Sequence, residues 1–204
     1  YVSLLGWNPG DEREFFTLDE LKQAFDVTGM SKSPAIFDVN KLTWMNAEYV
    51  RRLSPEEFTR HALPYYAQAG VAQMDKDILC RILQPRTEIF SQIPDVVDLL
   101  AALPEYDAEL FTNKKSKTDA EVSAQVLDMA IPALEALPQW TEEALHEMLL
   151  GMAEAREMKN GTLLWPVRIA LAGKAVTPGG AIEIATLLGR EESLRRLKFG
   201  RAKI

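Results

Sequence analysis

The sequence predicts an all-α protein, with helical bundles arranged in tandem. Three observations carry that expectation. Apolar residues recur at steps of three and four along most of the chain, and no stretch alternates with the period of two that marks a half-buried strand. Three capping boxes stand ahead of apolar runs: Thr17 with Glu20, Ser54 with Glu57, and Thr118 with Glu121. Gly70, Pro85, Gly173 and Gly189 fall where the periodic runs stop.

Residues 1–5 have the character of the last turns of a helix closing at Gly6, so the chain is expected to start inside a longer one. Residues 7–16 form a turn-rich loop around Asn8-Pro9-Gly10. The Thr17 box opens a short helix with Leu18, Leu21 and Phe25 on one side, followed by a connector over 27–36. Asp38 suits an N-cap because its carboxylate accepts free amides of the first turn. Behind it Val39, Leu42, Met45, Tyr49 and Leu53 form an apolar face, with Lys41, Trp44, Asn46 and Glu48 mostly off it. The Ser54 box, with Pro55 at the first helical position, starts a helix that Gly70 stops. Another helix starts near Asp75, carries Ile78, Leu79, Ile82 and Leu83, and is broken or bent at Pro85.

A short helix is expected over 93–103, then a loop over 104–117 with one helical turn at 109–112. The Thr118 box opens a long helix, with a possible kink at Pro132. Leu145, Met148, Leu149 and Met152 mark the next helix, after Thr141. Residues 163–171 form a helix ending at Gly173, and 178–188 and 191–197 complete the chain on either side of Gly189. Boundaries near 70–75 and 137–141 divide it into 1–70, 71–138 and 139–204.

With 204 residues, 47% hydrophobic and 26% charged, the chain can build a real core. No apolar run approaches the roughly 20 residues of a membrane span. Cys80, His61 and His146 are scattered, so no zinc-ligand spacing exists and no metal is assigned. The net charge of −7 argues against nucleic acid, but its distribution does not. Residues 1–75 carry 7 basic and 11 acidic groups, 76–155 carry 6 and 15, and 156–204 carry 10 and 4. The basic end either binds phosphate or is a solvated basic helix.

Arg86 and Arg168 interrupt apolar stripes. Each either snorkels along its stripe, or pairs with a carboxylate, or presents five planar donors at a groove edge to phosphate or a base. In Thr177-Pro178-Gly179-Gly180, Thr177 suits a cap and Pro178 a first turn, while the glycines allow close backbone approach. That is either a plain helix start or a place where free amides meet an anion. No residues are spaced for catalysis, and no Gly-rich phosphate loop is present.

The pattern F-D-x-x-K-L-x-W-x-N-x-x-Y over 37–49 resembles the tRNA-contacting region of bacterial-type glutamyl-tRNA synthetases. Leu4-Leu5-Gly6-Trp7 looks like the L-L-G-W that this family carries earlier. Trp165-Pro166-Val167-Arg168, continuing to Gly173 and Thr177-Pro178-Gly179, looks like its W-P-L-R-x-A-L-T-G and following P-G. The three matches come in the family's order and span nearly the whole chain.

The resemblance implies a stem-contact unit over 1–70, touching tRNA through Lys41, Trp44, Asn46 and Tyr49, with Lys41 suited to phosphate and Trp44 to packing. It implies two anticodon-binding units, 71–138 and 139–204. In them Arg86 helps to read the last anticodon base. Arg168, with Thr177, Pro178, Gly179 and Gly180, belongs to the unit that reads the first two. The family more often has a larger apolar residue where this chain has Gly180.

The partner implied is glutamate tRNA. ATP and magnesium serve a catalytic domain upstream in cis, and no cofactor is assigned to this stretch. The compartment implied is the cytoplasm. Met30-Ser31-Lys32-Ser33 mimics part of the family's K-M-S-K-S loop but has Gly29 in place of its first lysine and follows Leu-Leu-Gly-Trp, so it is taken as a connector. A helical protein-binding adaptor is the alternative, suggested by the acidic middle segment and the Met-containing stripe at 145–152.

Overall fold

The computed structural model describes residues 1–32 and 36–204. Among them are nine α-helices and five short 3-10 helices. Extended pairing among the described residues is limited to two isolated bridges, Trp7 with Met30 and Asn113 with Thr118. The all-helical expectation holds.

The first bridge ties the beginning of the chain together. The Asn8 amide donates to the Gly29 carbonyl at 3.0 Å, and the Ser31 amide to Gly6 at 2.8 Å. Trp7 is buried and its indole donates to the Asp26 carbonyl at 2.9 Å. Gly29 to Ser31 therefore acts as a structural strap. Ser33, the last residue of the K-M-S-K-S look-alike, lies outside the described residues.

Helix starts follow their local signals. Both halves of the Thr17 box are made at α1 (Leu18–Ala24), and both halves of the Ser54 box at α3 (Pro55–Gln68). Asp38 caps α2 (Val39–Arg51) through the amides of Asn40 and Lys41. Asp75 caps α4 (Lys76–Leu83) in the same way, and Pro85 turns its end into a 3-10 turn over Gln84–Arg86. α5 (Ile93–Ala101) and α7 (Glu142–Ala155) follow, the latter capped by Thr141. α6 (Ala120–Glu135) stays helical through Pro132.

Four expectations fail. The cap of α6 is Asp119, not Thr118. Thr118 is buried, and its hydroxyl donates to the Phe111 carbonyl at 2.8 Å, satisfying an interior acceptor rather than a helix start. α8 (Asn160–Ala172) begins three residues earlier than its apolar run. α9 (Ala181–Arg201) begins at Ala181, so Thr177 does not cap it and Pro178 is not in its first turn. On α2 the buried residues are Met45, Ala47 and Val50, whereas Val39, Leu42 and Tyr49 are exposed. Gly189, at φ 75 and ψ 172, breaks α9 where the sequence places a division.

One buried cluster runs from Val50 to Leu197, with α8 at its centre. α8 buries seven of its residues, packed chiefly on α9, α6 and α7. Gly173 ends it at φ 64, a left-handed cap that favours glycine. Space makes a second demand there, since a Cβ on Gly173 would lie 2.8 Å from Tyr106.

Arg196 is 1% exposed. Its guanidinium donates to the carbonyls of Leu99 at 2.6 Å and Leu100 at 3.5 Å, at the end of α5. It also donates to Leu171 at 2.9 Å, at the end of α8, and to Glu192 at 2.6 Å. Helix C-termini leave carbonyls without intrahelical donors and carry partial negative charge, so one cation satisfies two blind ends. Hydrogen bonds from Arg195, and then from Arg196, hold the Glu192 carboxyl down at about 2.

Arg196→Met should destabilise the fold by roughly 3 kcal/mol, because buried acceptors left without donors cost about 1–3 kcal/mol each. Urea unfolding reads this as a lower midpoint at constant slope; an unchanged midpoint would show that the carbonyls find other donors. Glu192→Gln should also destabilise, with a defined pH dependence. The folded carboxyl titrates below its ordinary value of 4.5, so its contribution is complete above that pH and fades as pH falls towards 2. The gap between parent and variant should close over that window; a gap of constant size down to pH 2 would contradict the ionic origin.

Candidate nucleic-acid interface

The loop between α8 and α9, residues 173–180, collects the predicted arginines. Arg168, half-buried on α8, donates through Nη1 to the Thr177 hydroxyl at 3.2 Å and through Nη2 to the Ala175 carbonyl at 3.1 Å. Its guanidinium carbon lies 4.7 Å from the Trp165 ring centre, within cation–π range. Trp165 is itself held, its indole donating to the Leu110 carbonyl at 2.9 Å. The Thr177 hydroxyl passes the connection on, donating to Gly179 at 2.7 Å.

Arg86 approaches the same loop from the other side. Its Nη1 donates to Ile82 at 3.1 Å and to Pro178 at 2.9 Å. The approach is close, since a Cβ on Gly179 would sit 3.3 Å from Ile82. Arg86, Arg168, Thr177, Pro178, Gly179 and Gly180 are thus brought to one loop across 92 residues of sequence separation.

A guanidinium has five N–H groups. Two of Arg168's are used, which leaves three without a partner among the described residues. Nε and Nη2 of Arg86 likewise have no partner among the described residues. Neither is paired to a carboxylate among the described residues. Burial pulls the Arg168 guanidinium below its ordinary value, yet arginine remains a cation at neutral pH.

Beside Arg168 lies an open recess of about 210 Å³, lined by Ser116, Gly161, Leu164, Trp165, Gly180 and Ala181 as well. Sequence reasoning did not place Ser116 or Gly161 here. Ser116 reaches it because the 113–118 turn folds back onto α8, where the Thr162 hydroxyl donates to the Ser116 carbonyl at 2.7 Å; periodicity holds no signal for such a contact. The start of α9 is less open to an anion than a bare helix start, because Glu183 already accepts from the Gly180 amide at 3.1 Å.

The four residues on α2 stand apart from this recess. Lys41 forms an ion pair with Glu14. Trp44 is 46% exposed, its ring 5.5 Å from that of Phe15. The Tyr49 hydroxyl donates to the Phe16 carbonyl at 3.1 Å. Asn46 donates to the Glu88 carbonyl at 2.5 Å, connecting α2 to the segment that follows Arg86. Gln84 strengthens that connection, donating to Leu53 at 2.8 Å and Val50 at 3.1 Å.

The chain is similar over its whole length to glutamate–tRNA ligases. It is 48% identical to that of Clostridium tetani over 206 residues and 46% identical to that of Clostridium novyi over 208. It spans 42% and 43% of the length of those relatives. A crystal structure of a glutamate tRNA ligase from Elizabethkingia meningosepticum, in complex with its amino acid, shares the fold at a TM-score of 0.79 and 23% identity, over 98% of this chain and 39% of that one. The glutamate-tRNA synthetase of Elizabethkingia anophelis matches equally, at a TM-score of 0.79 and 22% identity. Residues 57–201, which include both arginines and the loop they share, match the family model described as an anticodon binding domain, and the chain belongs to that family.

Proposed function

We propose that this chain is the tRNA-contacting part of a glutamate–tRNA ligase and that it reads anticodon bases at the recess beside Arg168. The observation that carries the reading is the convergence of Arg86 and Arg168 on one loop, each oriented by neutral partners and each with free donors. Anticodon bases are unpaired, so they can be stacked and read at their edges. A planar cation resting on an indole, with donors to spare, suits both tasks. Residues 71–138, with Arg86, serve the last anticodon base, and 139–204, with Arg168 and residues 177–180, the first two. Residues 1–70 contact the stem through the α2 segment of Lys41, Trp44, Asn46 and Tyr49.

The whole protein in this reading joins glutamate to its tRNA in the cytoplasm, with ATP and magnesium bound elsewhere. Among the described residues no three His, Cys, Asp or Glu are grouped to hold a metal ion, and no helix is long and apolar enough to cross a membrane. The exposed Leu18, Phe25, Phe37 and Val39 give the rest of such a protein an apolar surface to cover.

Arg168→Ala should reduce discrimination between a glutamate tRNA and the same tRNA with an altered anticodon by about 1–3 kcal/mol, the worth of a good bidentate base contact. Arg168→Lys should recover little of it, because an ammonium restores the charge but neither the fork nor the stacking. Equal loss for both RNAs, read as Kd, would move Arg168 to a phosphate-binding or folding role. Glutamate-dependent ATP–pyrophosphate exchange is expected to be absent for the chain alone; measurable exchange would show a catalytic site within these 204 residues.

A further inference from the structure

The basic C-terminal segment is partly compensated by its neighbours. Lys174, Lys198 and Arg201 pair with Asp98, Glu135 and Asp128 of the acidic middle segment, at 2.6, 2.6 and 2.7 Å. Arg195 and Arg196 share Glu192. Five of the ten cations after residue 155 are therefore offset.

Within the acidic segment the opposite holds. Lys114, Lys115 and Lys117 are exposed, and among the described residues none has a carboxylate at ion-pair distance. Lys159, at the start of α8, is exposed and unpaired as well.

These lysines sit on a built scaffold. The Asn113 and Thr118 amides and carbonyls exchange hydrogen bonds at 2.9 and 3.0 Å, and the Asn113 side chain accepts from the Ser116 amide at 2.9 Å. Lys117 takes φ 55, which closes the turn. The Ser116 carbonyl then anchors the turn to α8 through Thr162. Ser116 and Gly161 line the recess that holds Trp165 and Arg168. The turn that carries three of the lysines therefore borders that recess through Ser116, and Lys159 lies two residues before Gly161. Like charges within four residues repel one another, and a polyanion offsets that repulsion where no carboxylate does.

We propose that the 113–118 turn, with Lys159, is a clamp on the sugar–phosphate strand whose base enters the Trp165–Arg168 recess. This rests on the reading of the recess as a base site and adds the contact that holds the strand in register. Phosphate contacts position a strand without reporting its sequence, whereas base contacts specify it. The two can therefore be separated by experiment.

The triple variant K114Q/K115Q/K117Q would be titrated against a glutamate tRNA transcript, with native and altered anticodons, from 50 to 200 mM salt. Its plot of log affinity against log salt should be shallower than the parent's by about 2, at roughly 0.7 per phosphate contact on a single strand. The ratio of affinities for the two RNAs should not change. K114R/K115R/K117R should restore the parent's slope, and equal thermal midpoints would show that all three proteins are folded alike. A parent chain that discriminates the anticodons, with a triple variant of unchanged slope, overturns the clamp and leaves the recess reading intact. A lowered slope with a parent that does not discriminate upholds the lysine contact and overturns the recess reading. A parent that binds neither RNA overturns both.

Discussion

The arrangement depends on one buried cation. α8 ends in the interior and α5 passes through it at the buried Leu99 and Leu100 just before its exposed end, and the last carbonyls of each lack helical donors. Placing Arg196 between them satisfies Leu99, Leu100 and Leu171 together, and Glu192 balances the charge from the more exposed side. An isolated buried guanidinium would be strongly unfavourable; one held by helix C-termini and a carboxylate is not. The consequence reaches the candidate site. Fixing Leu171 fixes Gly173, two residues on, and with it the loop whose Ala175, Thr177 and Pro178 orient Arg168 and Arg86. A helix-end constraint in the core thus sets the geometry of a surface recess.

What could be seen in the sequence divides along the same line. Asp38, Ser54, Asp75 and Thr141 start helices as expected because each acts within three residues of itself. Thr118 fits the same local pattern and yet does not cap, since the Phe111 carbonyl, seven residues back, needs its hydroxyl in the interior. Thr177 is likewise drawn away from a helix start by Arg168. The α2 face shows a third limit. Its spacing marks an apolar stripe, but Met45 and Val50 are buried while Val39 is 62% exposed, because helical periodicity does not say how far the core extends. Arg196, the central residue in the fold, looks like one more cation in a basic tail.

Segment charge tells only part of the distribution. Counting groups places positive potential at 156–204 and negative at 76–155, but the two segments pack on each other and their charges pair across the contact. What remains is set by geometry. Lys114, Lys115 and Lys117 stay unpaired inside the acidic segment because their turn projects beside α8, away from the contacts made by Asp98, Asp128 and Glu135.

The choice of partner explains why Arg86 and Arg168 remain able to act on a ligand. A carboxylate would orient a guanidinium and cancel its charge in the same contact, as Asp128 does for Arg201. Carbonyls, a hydroxyl and an indole face orient Arg86 and Arg168 while leaving the full positive charge in place. Partial burial weakens solvent screening at Arg168, so in the proposed reading its charge would act on a base edge or phosphate more strongly than that of a solvated lysine. The rotamers are already ordered, which lowers the entropic cost of binding. Arg86 and Arg168 thus differ from Arg195 and Arg201, whose charges are offset by Glu192 and Asp128.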